Sequence, residues 1–230
     1  MELQNTPRGG KKVKTGYEEY LEKIEARYDR LISEGKMTNS SRVIPVNVAL
    51  KPKQWVLPSE EAISILSGAK NIALTKCQCR ELAHKCAAPL EVCFHLDEFA
   101  LKTVERGKGR LISIEEAKEA LALAAKSGLV HLTLYDPSRR VFALCSCCPC
   151  CCHDFFLLKE KGRRELVAHS EFIARTDGEK CDNCGACVAP CPFDARAVEG
   201  GLFLFEEKNC YGCGVCVPAC PKGAIEMDRR

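Results

Sequence analysis

The chain has 230 residues, 46% hydrophobic and 28% charged, with a formal net charge of +3. This is the composition of an ordinary globular protein, long enough for one large domain or two small ones with extensions. No apolar run reaches the roughly 18 residues of a membrane span, and the N-terminus, MELQNTPRGGKKVK, lacks the apolar core of a signal peptide, so membrane insertion is not expected.

In chain order, residues 1–16 read as a disordered polar tail, its Arg8, Lys11, Lys12 and Lys14 a solvated charge run. Tyr17, Tyr20, Leu21, Ile24, Tyr28, Leu31 and Ile32 recur at helical spacing and predict an amphipathic helix over 17–34, closed by Gly35. Its first use is packing on the body; a docking role toward a partner is the alternative. Residues 42–57 read as extended, broken by Pro45, Pro52 and Pro58. A short helix is expected from Ser59 to Ala69, a strand over Ile72–Lys76, and a helix over 90–105. Ser113 and Glu116 form a capping box that opens a helix over 114–127, closed by Gly128. Leu129–Tyr135 and Arg140–Leu144 read as a hairpin around Asp136-Pro137-Ser138-Arg139. Capped helix, glycine and hairpin in that order resemble the second half of a winged-helix module, a likeness of topology alone.

Eighteen cysteines dominate the chemistry. In a chain without a leader they argue for a reducing cytoplasm, because an oxidising compartment would scramble them. Near the C-terminus one pattern occurs twice: Cys181-x2-Cys184-x2-Cys187-x3-Cys191-Pro192 and Cys210-x2-Cys213-x2-Cys216-x3-Cys220-Pro221. A cubane [4Fe–4S] cluster has four iron corners, each needing one thiolate, and three closely spaced cysteines on a tight loop can wrap three corners. The sharp turns suit Gly185, Gly212 and Gly214, and Pro192 and Pro221 fix the chain where it leaves. Zinc knuckles use paired Cys-x2-Cys runs, without a third equally spaced cysteine and Cys-Pro.

On these residues, Ala174–Met227 resembles the two-cluster bacterial ferredoxin family. The resemblance implies a pseudo-twofold fold around two cubanes, low-potential one-electron transfer, and a fourth cysteine that crosses to the other cluster. Cys181, Cys184, Cys187 and Cys220 would hold one cluster; Cys210, Cys213, Cys216 and Cys191 the second. Arg196 departs from the family, standing where an aliphatic residue is usual. Two oxidised cubanes with their thiolates carry about −4, which turns the formal charge slightly negative, so nucleic-acid binding is not indicated.

Ten cysteines remain: Cys77, Cys79, Cys86 and Cys93 in one knot, Cys145, Cys147, Cys148, Cys150, Cys151 and Cys152 in the other. Clustered cysteines mark metal or redox sites, and the hairpin can carry the second knot to the first, so a single shared third site is expected. An iron–sulfur cluster is the first choice, a larger or additional cluster or a zinc site the alternatives. Cys147-Cys148 is similar to the Cys-Cys signature of heterodisulfide-reductase subunits with noncubane clusters, although the flanking spacings differ. His84 and His153 are further candidate ligands; His95, His131 and His169 read as packing residues. No phosphate-binding loop or nucleophilic triad is present, Gly107-x-Gly109 lacks the rest of a nucleotide fingerprint, and no catalytic residue is nominated.

The expected fold class is α+β: residues 17–57 an N-terminal helix and extended segment, 58–170 a Cys-rich α+β domain, winged-helix-like in part, and 171–230 a two-cluster ferredoxin-like module. The expected function is electron transfer, as a carrier or wiring subunit working with a redox protein or oxidoreductase subunits. The alternatives are a redox-sensing DNA-binding regulator and a reductase whose chemistry occurs at an unusual middle cluster. Glu115, Glu116 and Glu119 make the 114–127 helix a poor DNA surface.

Overall fold

The computed structural model describes residues 14–44 and 60–230. Helix α1 (Gly16–Ser33) is opened by a capping box between Thr15 and Glu18. There follow β1 (Ser41–Ile44), α2 (Glu60–Gly68), β2 (Ile72–Lys76), α3 (Gln78–Ala83), β3 (Glu91–Leu96) and α4 (Asp97–Glu105). Next come β4 (Gly109–Leu111), α5 (Ile114–Lys126), β5 (Val130–Tyr135), β6 (Val141–Cys147) and α6 (His153–Glu160). Strands β7 (Val167–Ala168), β8 (Phe172–Thr176), β9 (Arg196–Glu199), β10 (Leu202–Phe205) and β11 (Ile225–Arg229) complete the described chain.

Seven strands form one sheet in the order β4-β2-β3-β6-β5-β1-β7. Period-2 alternation sorts its side chains between two layers. Ile44, Ile72, Leu74, Phe94, Leu96 and Leu144 pack under α2 and α5, on Ala62, Leu66, Ala117 and Leu121. Val43, Val130, Leu132 and Cys147 belong to a second core with Tyr28 of α1 and Phe155 and Leu158 of α6. That second core continues into the C-terminal module through Phe193, Tyr211, Cys213 and Val215. There β8 pairs with β11 and β9 with β10, both antiparallel. The mixture of helices and sheets is the expected α+β class.

Local signals held where they rested on caps and periodicity. The Ser113–Glu116 capping box is formed, α5 ends at Lys126, and β2 spans Ile72–Lys76. The helix expected over 90–105 needs correction. Its first half is strand β3, and only Asp97–Glu105 is helical. Glu91–Leu96 pairs with both β2 and β6, and burial of Val92, Phe94 and Leu96 outweighs local preference. Asp97, at φ 52°, marks the break. Strands β4 and β7 were not anticipated. At Gly109 in β4 an added Cβ would stand 2.6 Å from the Leu74 carbonyl oxygen, so this glycine permits the close approach of β4 to β2. The β5–β6 hairpin forms, but it lies between β3 and β1 inside the sheet and is not a free wing. The tail expected over residues 1–16 lies mostly outside the described residues; from it, Lys14 pairs with Glu22 at 2.6 Å. Of the extended segment 42–57, β1 contains residues 42–44, and the rest lies outside the described residues.

His131 on β5 is fully buried, with Nδ1 3.0 Å from Ser146 Oγ and no partner for Nε2. Burial lowers its pKa from the ordinary 6.5 to about 4. Between those values the unfolded chain takes up a proton that the folded chain refuses, so stability falls as the pH drops through that window. The loss should be about 2 kcal/mol at pH 5 relative to pH 7. His131→Gln should remove that difference, as read from chemical-denaturation midpoints of both proteins at the two pH values.

Candidate metal centres

In the C-terminal module the two cysteine loops face each other, each carried between strands of the short ladders. Gly185, Gly212 and Gly214 turn the loops at φ 71°, 70° and 77°. At Gly212 any Cβ would collide with the Phe172 carbonyl and the Ser170 hydroxyl, so no other residue fits. Cys181, Cys184 and Cys187 line one cavity, and the fourth cysteine on its wall is Cys220, from the other loop. Cys191, Cys210 and Cys216 are likewise the thiols that act on Cys213. Burial pushes the Cys213 and Cys216 thiols up, Cys216 to about 12. Such thiols stay protonated unless a metal displaces the proton. The two sets differ in exposure: Cys184 is exposed and Cys181 half-buried, whereas Cys210, Cys213 and Cys216 are buried.

Arg196, noted only as a departure from the family pattern, is 4% exposed and lies between the two sets. It donates to the Ala174 carbonyl at 2.7 Å and Thr176 Oγ1 at 2.8 Å, and its Nη1 is 3.9 Å from Cys187 Sγ. Its charge also lowers the Cys216 thiol against the effect of burial, and the rings of Phe203 and Phe205 cover its guanidinium at 5.3 and 5.2 Å.

The ten middle cysteines do converge, as the two knots suggested, but as two neighbouring sets. Cys86, Cys148, Cys150 and Cys151 have sulfurs all within 4.8 Å of one another. Three of the separations are 3.6, 3.8 and 3.7 Å. Four thiolates around one tetrahedral ion with ~2.3 Å bonds stand about 3.8 Å apart, so this spacing is that of a single ion. Among the described residues no other group of sulfurs closes this tightly, the C-terminal sets included. Burial pushes Cys86 up, but the Ala88 N–H and the other three thiols outweigh it and bring Cys86 down to about 7. The remaining six, Cys77, Cys79, Cys93, Cys145, Cys147 and Cys152, lie on neighbouring elements. Cys145 and Cys147 share one face of β6, Cys93 flanks the Phe94–Leu144 pair on β3, and Cys77 and Cys152 begin α3 and α6.

Several residues around these sulfurs were not foreseen. Arg80 is 1% exposed and donates to the carbonyls of Pro89 and Ser146. Helix α1 packs on the cysteine region, as its first reading proposed: Tyr17 OH donates to the Cys151 carbonyl at 2.7 Å, and Tyr20 OH is 3.6 Å from Cys79 Sγ. The tyrosine spacing was the only sequence signal for this. His153 is adjacent to the sulfurs, with both ring nitrogens in hydrogen bonds: Nδ1 is 3.1 Å from Cys79 Sγ and Nε2 is 3.0 Å from Tyr28 OH. It orients a thiol through a hydrogen bond. His84 is exposed at the end of α3. His169 stacks on Tyr211 at 4.0 Å and donates to the Cys210 carbonyl. All eighteen cysteines are free of disulfides, and no described helix is long and apolar enough to cross a membrane.

A family model described as a 4Fe-4S dicluster domain matches residues 173–226, less than a quarter of the chain. No curated protein matches the chain. The match covers both Cys-x2-Cys-x2-Cys-x3-Cys-Pro runs and gives the C-terminal module an iron–sulfur character.

Because Arg196 touches Cys187 of one set and its charge acts on Cys216 of the other, Arg196→Met should make the reduction potential of any cluster held by either set more negative, by on the order of 100 mV for one buried positive charge. Arg196→Lys should recover part of the shift. Protein-film voltammetry of the three proteins reads the difference.

Proposed function

We propose that this protein is an iron–sulfur electron-transfer protein, a soluble carrier or a wiring subunit of an oxidoreductase. Cys181, Cys184, Cys187 and Cys220 would hold one [4Fe–4S] cluster, and Cys210, Cys213, Cys216 and Cys191 a second. The observation that carries this reading is the exchange of the fourth cysteine: the cavity of the first loop is lined by Cys220 of the second, and Cys191 of the first stands with the thiols of the second. The clusters would supply one-electron chemistry at low potential. The chain's part is to hold the sulfurs, exclude water and set the charge around them.

The difference in exposure supports a direction for the wiring. The set with exposed Cys184 meets the outside and would receive or deliver electrons to a redox partner. The buried set faces the core shared with the middle domain, where Tyr211 stacks on Phe193 at 4.4 Å and Phe193 lies 5.2 Å from Phe155. A further centre among the middle cysteines would then be the inner terminus of the path. For the four-thiol set, spacing favours the alternative reading of one zinc ion, a structural clip between the α3–β3 loop and the loop before α6. A reducing, cytoplasmic setting fits eighteen free thiols.

Iron and acid-labile sulfide in anaerobically purified protein test the assignment. Cys184→Ala and Cys213→Ala should each lose about four irons or convert one cluster to a three-iron form. Dithionite reduction should give paramagnetic signals in the wild type that weaken in each variant. Full iron content in both variants, or zinc in place of iron at the C-terminal sites, would sink the reading.

A further inference from the structure

Six middle cysteines lie outside the four-thiol set, and their contacts close on themselves. On the sheet, Cys93 of β3 adjoins the Phe94–Leu144 pair beside Cys145 of β6, Cys147 follows on the same face, and Cys79 Sγ is 3.1 Å from His153, the residue after Cys152. The electrostatic neighbours follow the same circuit: Cys77 with Cys79 and Cys93, Cys93 with Cys145, Cys145 with Cys147, Cys147 with Cys152, and Cys152 with Cys79. The result is a ring of six sulfurs. Four of its members, Cys77, Cys93, Cys147 and Cys152, are less than 10% exposed. The ring is assembled from four elements in two stretches remote in sequence, the start of α3 with β3 and β6 with the start of α6, so local chain geometry alone does not produce it.

Two observations separate this ring from the four-thiol set and give it charge. The first is the division of adjacent cysteines. Cys147 belongs to the ring and Cys148 to the four; Cys151 belongs to the four and Cys152 to the ring. Each neighbouring pair sends one sulfur each way, so the two positions are joined by single peptide units. The second is Arg80. Its Nε has no hydrogen-bond partner, its other contacts are the two carbonyls named above, and the anionic groups acting on it are Cys77, Cys93 and Cys148. A buried guanidinium without a carboxylate costs several kcal/mol unless another anion faces it. Here the anion can only be thiolate, and thiolates at this depth are stable when a metal holds them.

We propose that the six-cysteine ring is a metal centre of its own, distinct from the four-thiol site beside it, and that it holds a polynuclear iron–sulfur cluster. Six thiolates exceed the four that a cubane uses, and the ring is open where the four-thiol set is closed: no three of its sulfurs all lie within 4.8 Å of one another. A pair of zinc ions on six thiolates needs two sulfurs shared by both ions and crowded against the rest. Among the described residues the ring shows no such crowding. Cys147 and Cys152 also lie in the same core as Cys213 of the buried C-terminal set. The choice of iron over zinc rests on the electron-transfer reading above; the existence of a six-thiolate site does not.

The test compares three full-length proteins reconstituted anaerobically with ferrous iron and sulfide: wild type, Cys93→Ala/Cys145→Ala in the ring, and Cys86→Ala/Cys150→Ala in the four-thiol set. Iron, zinc and sulfide are counted per chain. The ring variant should lose iron and sulfide together and keep the metal of the four-thiol set. The four-thiol variant should lose its single ion and keep the ring's iron. Should the ring variant not fold, alkylation of native wild type with iodoacetamide, before and after chelation, gives the same answer by mass spectrometry. The six ring cysteines should be protected at first and become reactive as one group as iron leaves. Unchanged iron and sulfide in the ring variant, ring thiols alkylated in the native holoprotein, or loss of zinc in place of iron would each overturn the proposal. These readouts are differences within the middle region, so they stand apart from the C-terminal variants that test the electron-transfer reading.

Discussion

The constraint on which this structure depends is negative charge buried at sulfur. A thiolate in a low-dielectric interior is costly by itself, and this chain places many thiols out of water. The fold answers in the same way twice. Arg196 lies between the two C-terminal sets and acts on Cys187 and Cys216; Arg80 lies between the two middle sets and faces Cys77, Cys93 and Cys148. Neither forms an ion pair with a carboxylate among the described residues; both donate to backbone carbonyls that hold the guanidinium in place. An arginine suits this use because it stays charged when buried and its planar fork can address two sites at once. Each cation also belongs to both of its neighbours, so a change of charge at one centre is felt at the other.

Positioning in the middle domain follows from two simple periodicities. Alternation along β3 and β6 sends Phe94 and Leu144 into the layer under α2 and α5, and leaves Cys93, Cys145 and Cys147 on the other face. Beyond the end of β6 the chain leaves strand geometry, and consecutive cysteines no longer alternate across a sheet. Cys147-Cys148 and Cys151-Cys152 divide between sites because the turn before α6 points successive side chains in different directions. On a regular strand the eight residues Cys145–Cys152 would have sent Cys145, Cys147 and Cys151 to one face of the sheet and Cys148, Cys150 and Cys152 to the other. Helix α1 then closes the open side with Tyr17, Tyr20 and Tyr28, whose hydroxyls reach Cys151, Cys79 and His153.

How much of this could be read from the residues depended on whether the signal was local. The spacing of the two C-terminal runs is a local pattern with a direct chemical meaning, and it named the module that the family match covers. Caps and periodicity placed α1, α5 and β2 almost to the residue. Strand β3 was misread because Glu91–Leu96 carries no local strand signature strong enough to overrule a helical reading of 90–105; its identity comes from pairing on both edges with β2 and β6. The division of the ten middle cysteines into four and six was illegible for the same reason. It is fixed by which sulfurs four separate elements bring together, and nothing in Cys145–Cys152 read as a string says which member of each adjacent pair turns which way. Arg80 and Arg196 were hidden because an arginine in sequence is normally a surface residue, and only the fold reveals that these two are inside.

The order of the sets in space has a functional consequence that neither module has alone. Of the two C-terminal sets, that of Cys181–Cys220 is the more exposed; beside it lie the buried Cys210 set, a short aromatic stack through Tyr211, Phe193 and Phe155, and then Cys147 and Cys152 in the same core. A carrier that only shuttled electrons would need the outer sites alone, as a small two-cluster protein does. On the proposed reading, a chain that continues inward to a sulfur-rich position shielded by α1 and α6 would deliver electrons to, or store them at, that inner position. The tight four-thiol set beside it, with spacing for one redox-inert ion, would then fix the α3 and α6 loops against each other without joining the path. In that proposal the C-terminal module is the outer half of a longer path, and the six-cysteine ring, among the ten cysteines that the matched family does not cover, is its inner half.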